Sequence, residues 1–124
     1  MIRLDTHVVV WLYAGELERF PETAIEALEH EELVINPIVE LELAYLHEIG
    51  RITVAGAALI ADLHQRLRLT VSGLPMASVV AAAAVQSWTR DPFDRLIVGD
   101  AVAADCGLLT KDATIRQHCS LARW

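Results

Sequence analysis

The chain has 124 residues, a length that fits one domain and leaves no room for a multidomain machine. Hydrophobic residues make up 54% and charged residues 22%, with a mean hydropathy of +0.37, which supplies ample core and excludes an extended disordered tail. Ten Lys and Arg stand against seventeen Asp and Glu, a formal charge of -7, so bulk electrostatics do not draw this protein to nucleic acid and any such substrate must be attracted locally.

The only cysteines, Cys106 and Cys119, form no Cys-x-x-Cys pair, and no histidines stand at finger spacing. Neither a disulfide framework nor a structural zinc site is expected, and a reduced cytoplasmic setting suits the chain. No basic region followed by a long apolar stretch follows Met1, so no secretory signal is expected. The uncharged run from Leu69 to Thr89 contains Gly73, Pro75 and three serines around an alanine core, which reads as a strand and a buried helix rather than a membrane span.

A short strand at Ile2 to Leu4 ends at Asp5, and Thr6 to Ala14 reads as a helix stopped by Gly15. Pro21 opens a second helix. Leu33 to Asn36 is the next strand, Pro37 starts a helix to about Ile49, and Val54 to Leu67 supplies another with Leu59, Leu63 and Leu67 in register. Leu69 to Val71 is a third strand, Pro75 to Trp88 an alanine-rich helix, Asp91-Pro92 the start of a helix to about Cys106, and Leu108 to Thr110 a fourth strand. Thr114 to His118 and Leu121 to Trp124 finish as a helical turn and an edge strand. Short apolar strands separated by helices belong to an α/β fold with a mainly parallel sheet covered on both faces, and such sheets place their sites at the strands' carboxyl ends.

Most acids, from Glu16 to Glu32, occupy positions that face water. The informative ones stand in apolar surroundings, where an ionised carboxylate needs compensation. Asp5 follows the first strand, and also suits the N-cap of the helix after it. On the third helix, at about 100° per residue, Glu42 falls within the arc of Ile38, Tyr45, Leu46 and Ile49 while Glu40 lies opposite with His47, so Glu42 is expected to face the interior, as a site residue or as an arginine's partner. Asp91 before Pro92 suits an N-cap, which leaves Asp94 in the first turn near the positive end of the helix dipole. Asp105 shares that azimuth about 16 Å away and belongs elsewhere; Asp100 has no assigned role. Asp112 follows another strand and can alternatively cap the helix after it.

Parallel strands would bring Asp5 and Asp112 to one sheet edge, where Glu42 and Asp94 can converge. Four carboxylates without a thiolate or histidine cluster select a hard divalent cation, Mg²⁺ or Mn²⁺, with water completing the shell. Such a site suits metal-assisted hydrolysis of a phosphodiester.

The segments Leu4-Asp5-Thr6-His7, Asn36-Pro37-Ile38 leading to Glu42, Arg90-Asp91-Pro92-Phe93-Asp94-Arg95-Leu96 and Leu109-Thr110-Lys111-Asp112 resemble, in that order, the motifs of PIN-domain proteins. More closely, they look like the VapC toxins of bacterial toxin-antitoxin pairs. The resemblance covers essentially the whole chain. It implies a three-layer α/β/α sandwich over residues 1–124 and a Mg²⁺- or Mn²⁺-dependent endoribonuclease silenced by a cognate VapB antitoxin. It also implies a homodimer that enters a hetero-oligomer with that antitoxin. Asp5, Glu42, Asp94 and Asp112 match the family's acidic quartet, and Thr110 its supporting hydroxyl residue. Two positions depart from the pattern: Thr89 stands where the family usually has His, and Gly99-Asp100 where it usually has a small or amide pair.

Arg90, Arg95, Lys111 and Arg116 flank the motifs and are candidates for RNA phosphate contacts, or for neutralising nearby acids. The five histidines show no mutual ligand spacing and read as structural or exposed; Trp11, Trp88 and Trp124 read as core or dimer contacts rather than as base-stacking platforms. Two further functions fit less well. An aspartyl-phosphate phosphatase also uses an aspartate after its first strand, but His7 stands where a second acid is needed. A catalytically degenerate binding module would not need to keep all four carboxylates.

Overall fold

The computed structural model describes all 124 residues. Strand β1 (Ile2–Leu4) leads into α1 (Thr6–Ala14), a single 3₁₀ turn at Leu17–Arg19 and α2 (Glu22–His30). Strand β2 (Leu33–Ile35) is followed by α3 (Pro37–Glu48) and α4 (Gly56–Leu67), and β3 (Thr70–Val71) by α5 (Met76–Ala84) and α6 (Pro92–Ala104). Strand β4 (Gly107–Leu109), α7 (Ala113–His118) and β5 (Ala122–Arg123) complete the chain. No helix is long and apolar enough to cross a membrane.

The strands form one sheet in the order β3-β2-β1-β4-β5, with every neighbouring pair parallel. Ile2 and Leu4 of β1, Leu33 and Ile35 of β2, and Leu108 and Leu109 of β4 are buried, joined by Val8, Leu59, Leu63, Ile97, Val98 and Ile115 from the helices. Strands apolar on both sides require cover on both faces, and the result is the α/β/α sandwich that the sequence pattern implied. The chain winds from β1 outward to β3 and then starts again on the other side of β1 with β4. The β1–β4 seam is therefore the switch point, where the connections leave in opposite directions and open a crevice beyond the strand ends.

Element ends differ from the sequence reading at a few positions. Helix α4 begins at Gly56 rather than Val54: Ala55 is extended, and a Cβ on Gly56 would stand 2.9 Å from Leu43 Cβ, so α4 starts where α3 permits close approach. Helix α5 ends at Ala84 rather than Trp88, because Trp88 turns back to donate to Gln86 Oε1 at 2.8 Å and stacks on His118. Helix α6 stops at Ala104, closed by Asp105 in a left-handed conformation.

Helices α5 and α6 run in close contact at Gly99, where an added Cβ would lie 2.7 Å from the Val79 carbonyl oxygen and 2.9 Å from Ala83 Cβ. Backbone lines one side of this contact, so neither helix can yield by a rotamer change alone. Gly99→Ala is expected to destabilise the fold by about 1–3 kcal/mol and to lower the melting temperature by several degrees. An unchanged thermal melt would show that the two helices separate freely.

Candidate active site at the carboxyl edge of the sheet

The β1–β4 seam positions the first acid. Asp5 follows β1, its N–H donates to the Leu109 carbonyl at 3.1 Å, and the residue is 7% exposed. One carboxylate oxygen accepts from the Thr6 N–H at 2.7 Å, capping α1, and the other accepts from the Thr110 hydroxyl at 2.6 Å. Capping and site placement, alternatives in the sequence, are here one arrangement. Burial pushes the Asp5 pKa up, opposed by the Thr110 and Thr6 bonds.

Glu42 comes from α3 and accepts a hydrogen bond from the Thr6 hydroxyl. Burial raises its pKa, with Thr6 opposing and the neighbouring Asp5 adding to the rise. The expectation that Glu42 faces the interior needs correction. The buried residues of α3 are Val39 and Leu43, whereas Tyr45 and Ile49 are about half exposed. The apolar arc on which the phase was set thus includes a surface strip, and Glu42 sits half-buried at the pocket wall. Glu40 is exposed on α3, away from the pocket.

Asp91 accepts from the N–H groups of Phe93 and Asp94 and caps α6, with Pro92 at the first helical position. Asp94, one turn in, is half-buried and its pKa is pushed up to about 7, first by burial and then by Asp91, Asp5, Asp112 and Glu42. Asp112 caps α7 by accepting from the Ile115 N–H at 2.9 Å, while its own N–H donates to the Thr110 hydroxyl. Asp5, Glu42, Asp91, Asp94 and Asp112 together line one open pocket of about 390 Å³, with His7, Trp11 and Lys111. Burial first, and then an array of like charges, thus carry one carboxyl to neutral pH in an open pocket, the pattern that marks a candidate functional site.

A model of the PIN domain matches residues 2–121. The chain belongs to the PIN-domain family. It is 37% identical over 120 residues to a Mycobacterium tuberculosis protein named Ribonuclease VapC22, covering 94% of this chain and 91% of that one. Within the family it therefore sits with the VapC proteins. The crystal structure of VapBC2 from Rickettsia felis bound to a DNA fragment from their promoter superposes with a TM-score of 0.66 at 17% identity, covering 94% of this chain and 92% of that chain. That likeness establishes the fold.

Several residues of this PIN domain have positions that the sequence did not reveal. Asp100 is fully buried and lies outside the pocket: Arg3 Nε donates to it at 2.7 Å, Ser72 Oγ at 2.8 Å and Asn36 Nδ2 at 3.2 Å. The departure at Gly99-Asp100 is thus a close helix contact followed by a buried ion pair, with no extra site carboxylate. Of the four candidate phosphate ligands, only Lys111 lines the pocket. Arg90 donates to the Ser87 carbonyl, Arg95 to the Thr89 carbonyl and Arg116 to the Lys111 carbonyl, so all three help hold the loops that frame the site. Thr6, given no role from the sequence, is fully buried and ties Glu42 to the first turn of α1. Trp11 packs on Phe20 and Trp124, as a core contact would, and also forms part of the pocket wall. Asp5 has both oxygens engaged by donors, which disfavours it as the free nucleophile of a phosphatase.

Proposed function

We propose that the protein hydrolyses RNA phosphodiester bonds as a divalent-metal-dependent endoribonuclease, the toxin of a VapBC-type pair, silenced in the cytoplasm by a cognate VapB antitoxin. One observation carries this reading: five carboxylates line one pocket beside a single lysine, with Asp94 raised to about 7. That charge is costly without a counterion. The donor set fits a hard ion, being carboxylate oxygen with no thiolate. No three of these side chains are disposed to enclose an ion by themselves, so waters and substrate phosphates would have to complete its shell. Asp5, Glu42, Asp94 and Asp112 would hold Mg²⁺ or Mn²⁺.

Bound there, the ion supplies neutralising charge, polarisation of the phosphate and a lowered pKa for water. The chain's own residues supply the geometry. Thr110 and Thr6 fix the orientations of Asp5 and Glu42, Asp91 anchors the turn that presents Asp94, and Lys111 meets the phosphate. The 37% identity to a protein named a ribonuclease supports the nuclease chemistry, and the likeness to a chain of a VapBC assembly agrees with an antitoxin partner. The exposed Leu41, Tyr45 and Ile49 of α3 offer an apolar strip suited to homodimer formation.

The test is incubation of antitoxin-free protein with total RNA and Mg²⁺ or Mn²⁺, with and without EDTA. Cleavage that EDTA abolishes is expected. Cleavage untouched by EDTA would remove the metal from the mechanism, and no cleavage with either ion would remove the nuclease.

A further inference from the structure

A phosphate chain approaching this pocket meets carboxylates, and most cations of the chain are committed elsewhere. Arg3 is in the buried pair, Arg66 pairs with Asp62, Arg123 with Glu31, and Arg90, Arg95 and Arg116 hold loop carbonyls. Two exposed cations are gathered at one ring: Lys111, and Arg19, which also pairs with Glu16 on the neighbouring turn. Lys111 Nζ stands 5.7 Å from the centroid of the Trp11 ring and the Arg19 guanidinium 5.1 Å from it. Trp11 is half-buried on α1, held by edge contacts with Phe20 and Trp124, and shares the pocket wall with Asp5 and Asp112. The His7 ring, also in that wall, lies tilted at 6.0 Å from it.

We propose that Trp11, flanked by Lys111 and Arg19, is a nucleotide subsite: the indole stacks one base of a single RNA strand next to the cut position, and the two cations take phosphates on either side of it. The proposal rests on the ribonuclease reading above and adds where the strand is gripped. Every base has a π face, so the contact tolerates any sequence while fixing register against the acids. The flexible lysine that covers the ring in the free protein has only to swing to a phosphate, exchanging a cation–π contact for a charge-assisted one. Phe20 and Trp124 hold the ring still, so little conformational freedom is lost when a base arrives.

The experiment uses a single-stranded RNA decamer carrying one cleavage site, and a matched set in which one base at a time is replaced by an abasic ribose. In Asp94→Asn protein, which retains the subsite, loss of one particular base beside the cut position is expected to weaken binding roughly tenfold. In the Trp11→Leu, Asp94→Asn protein the intact RNA binds about that much more weakly, and the abasic change has no further effect. In otherwise native protein, Trp11→Leu is expected to place its loss on KM, with Trp11→Phe largely restoring it. Lys111→Gln, an exposed change that leaves the fold intact, lowers the slope of log affinity against log salt by about 0.7. An abasic penalty equal in both backgrounds, or an unchanged salt slope, overturns the subsite while metal-dependent cleavage by the native protein leaves the nuclease standing. Absence of cleavage by the native protein overturns both. Tight binding of an acidic peptide at Trp11, with RNA affinity unchanged by Trp11→Leu, would assign the ring to a protein partner and also overturn the proposal.

Discussion

Asp94→Asn lowers metal-dependent RNA cleavage by at least about a hundredfold and, at the same time, makes the metal-free protein more stable at pH 8. The first effect is expected from the proposed role of Asp94 in holding the ion, since loss of a group that merely orients a ligand already costs about 10–100-fold. The second follows from linkage. The Asp94 carboxyl is raised from 3.8 to about 7 in the fold, by burial first and then by four neighbouring carboxylates. A carboxyl that holds its proton more tightly when folded favours the fold fully below its unfolded value of 3.8. That contribution is lost as pH climbs through about 7. Screened by the water that reaches this half-buried side chain, the cost at pH 8 is about 1–2 kcal/mol. Asp5 and Glu42, both raised by burial, act in the same direction.

Thermal melts in EDTA are therefore expected to fall from pH 5.5 to pH 8 in the parent and to fall less in Asp94→Asn. Mg²⁺ or Mn²⁺ should raise the parent's melting temperature more at pH 8 than at pH 5.5, because protons compete for the same oxygens. The variant should respond weakly to either ion. A parent whose metal-free stability rises toward pH 8, or an Asp94→Asn protein less stable than it, would show that the acids are not in mutual repulsion.

The parts of this site that were legible in the sequence are those set by local rules. Asp5 and Asp112 were placed by the strands before them, and Asp94 by the Asp91-Pro92 cap. A parallel sheet with those strands together brings such ends to one crevice. What was not legible depended on tertiary phase or on pairs distant along the chain. The apolar residues of α3 spread over more than the buried face, so periodicity alone put Tyr45 and Ile49 inside. Thr6 shows its role only when α3 is seen beside α1. The arginines around the D-P-F-D-R motif carry the right charge for phosphates, yet Arg90 and Arg95 donate to backbone carbonyls close by in the sequence. Nothing local marks that use. Trp11 reads from the sequence as a core or dimer contact, and it does pack on Phe20 and Trp124, but only the pocket wall shows its other side.

The pair that was hardest to foresee has the largest consequence for stability. Arg3 and Asp100 are 97 residues apart in sequence, with side chains 6% and 0% exposed. Asp100→Leu removes the acceptor for Arg3, Ser72 and Asn36 at once and leaves a guanidinium buried without its counterion, so a loss of about 3–5 kcal/mol is expected. Arg3→Leu alone strands the carboxylate and is expected to cost a comparable amount. Combining Arg3→Leu with Asp100→Leu leaves no buried charge without a counterion, only the neutral Ser72 and Asn36 short of one acceptor, and should recover much of the summed loss, a coupling of roughly 1–3 kcal/mol in a double-mutant cycle by urea denaturation. The same network reaches the site. Asn36 donates to Asp100 through its amide nitrogen while its oxygen caps α3 by accepting from the Ile38 N–H at 2.8 Å, and α3 carries Glu42. Asp100 itself rides on α6, two turns beyond Asp94, so the ion pair fixes the helices that deliver two of the acids relative to β1, which delivers a third. The single variants are therefore expected to weaken metal-dependent cleavage even at temperatures where they remain folded, and the double variant to regain activity with stability. Additive losses in the cycle would show instead that the two charges are held independently and that the alignment of α3 with α6 comes from apolar packing alone.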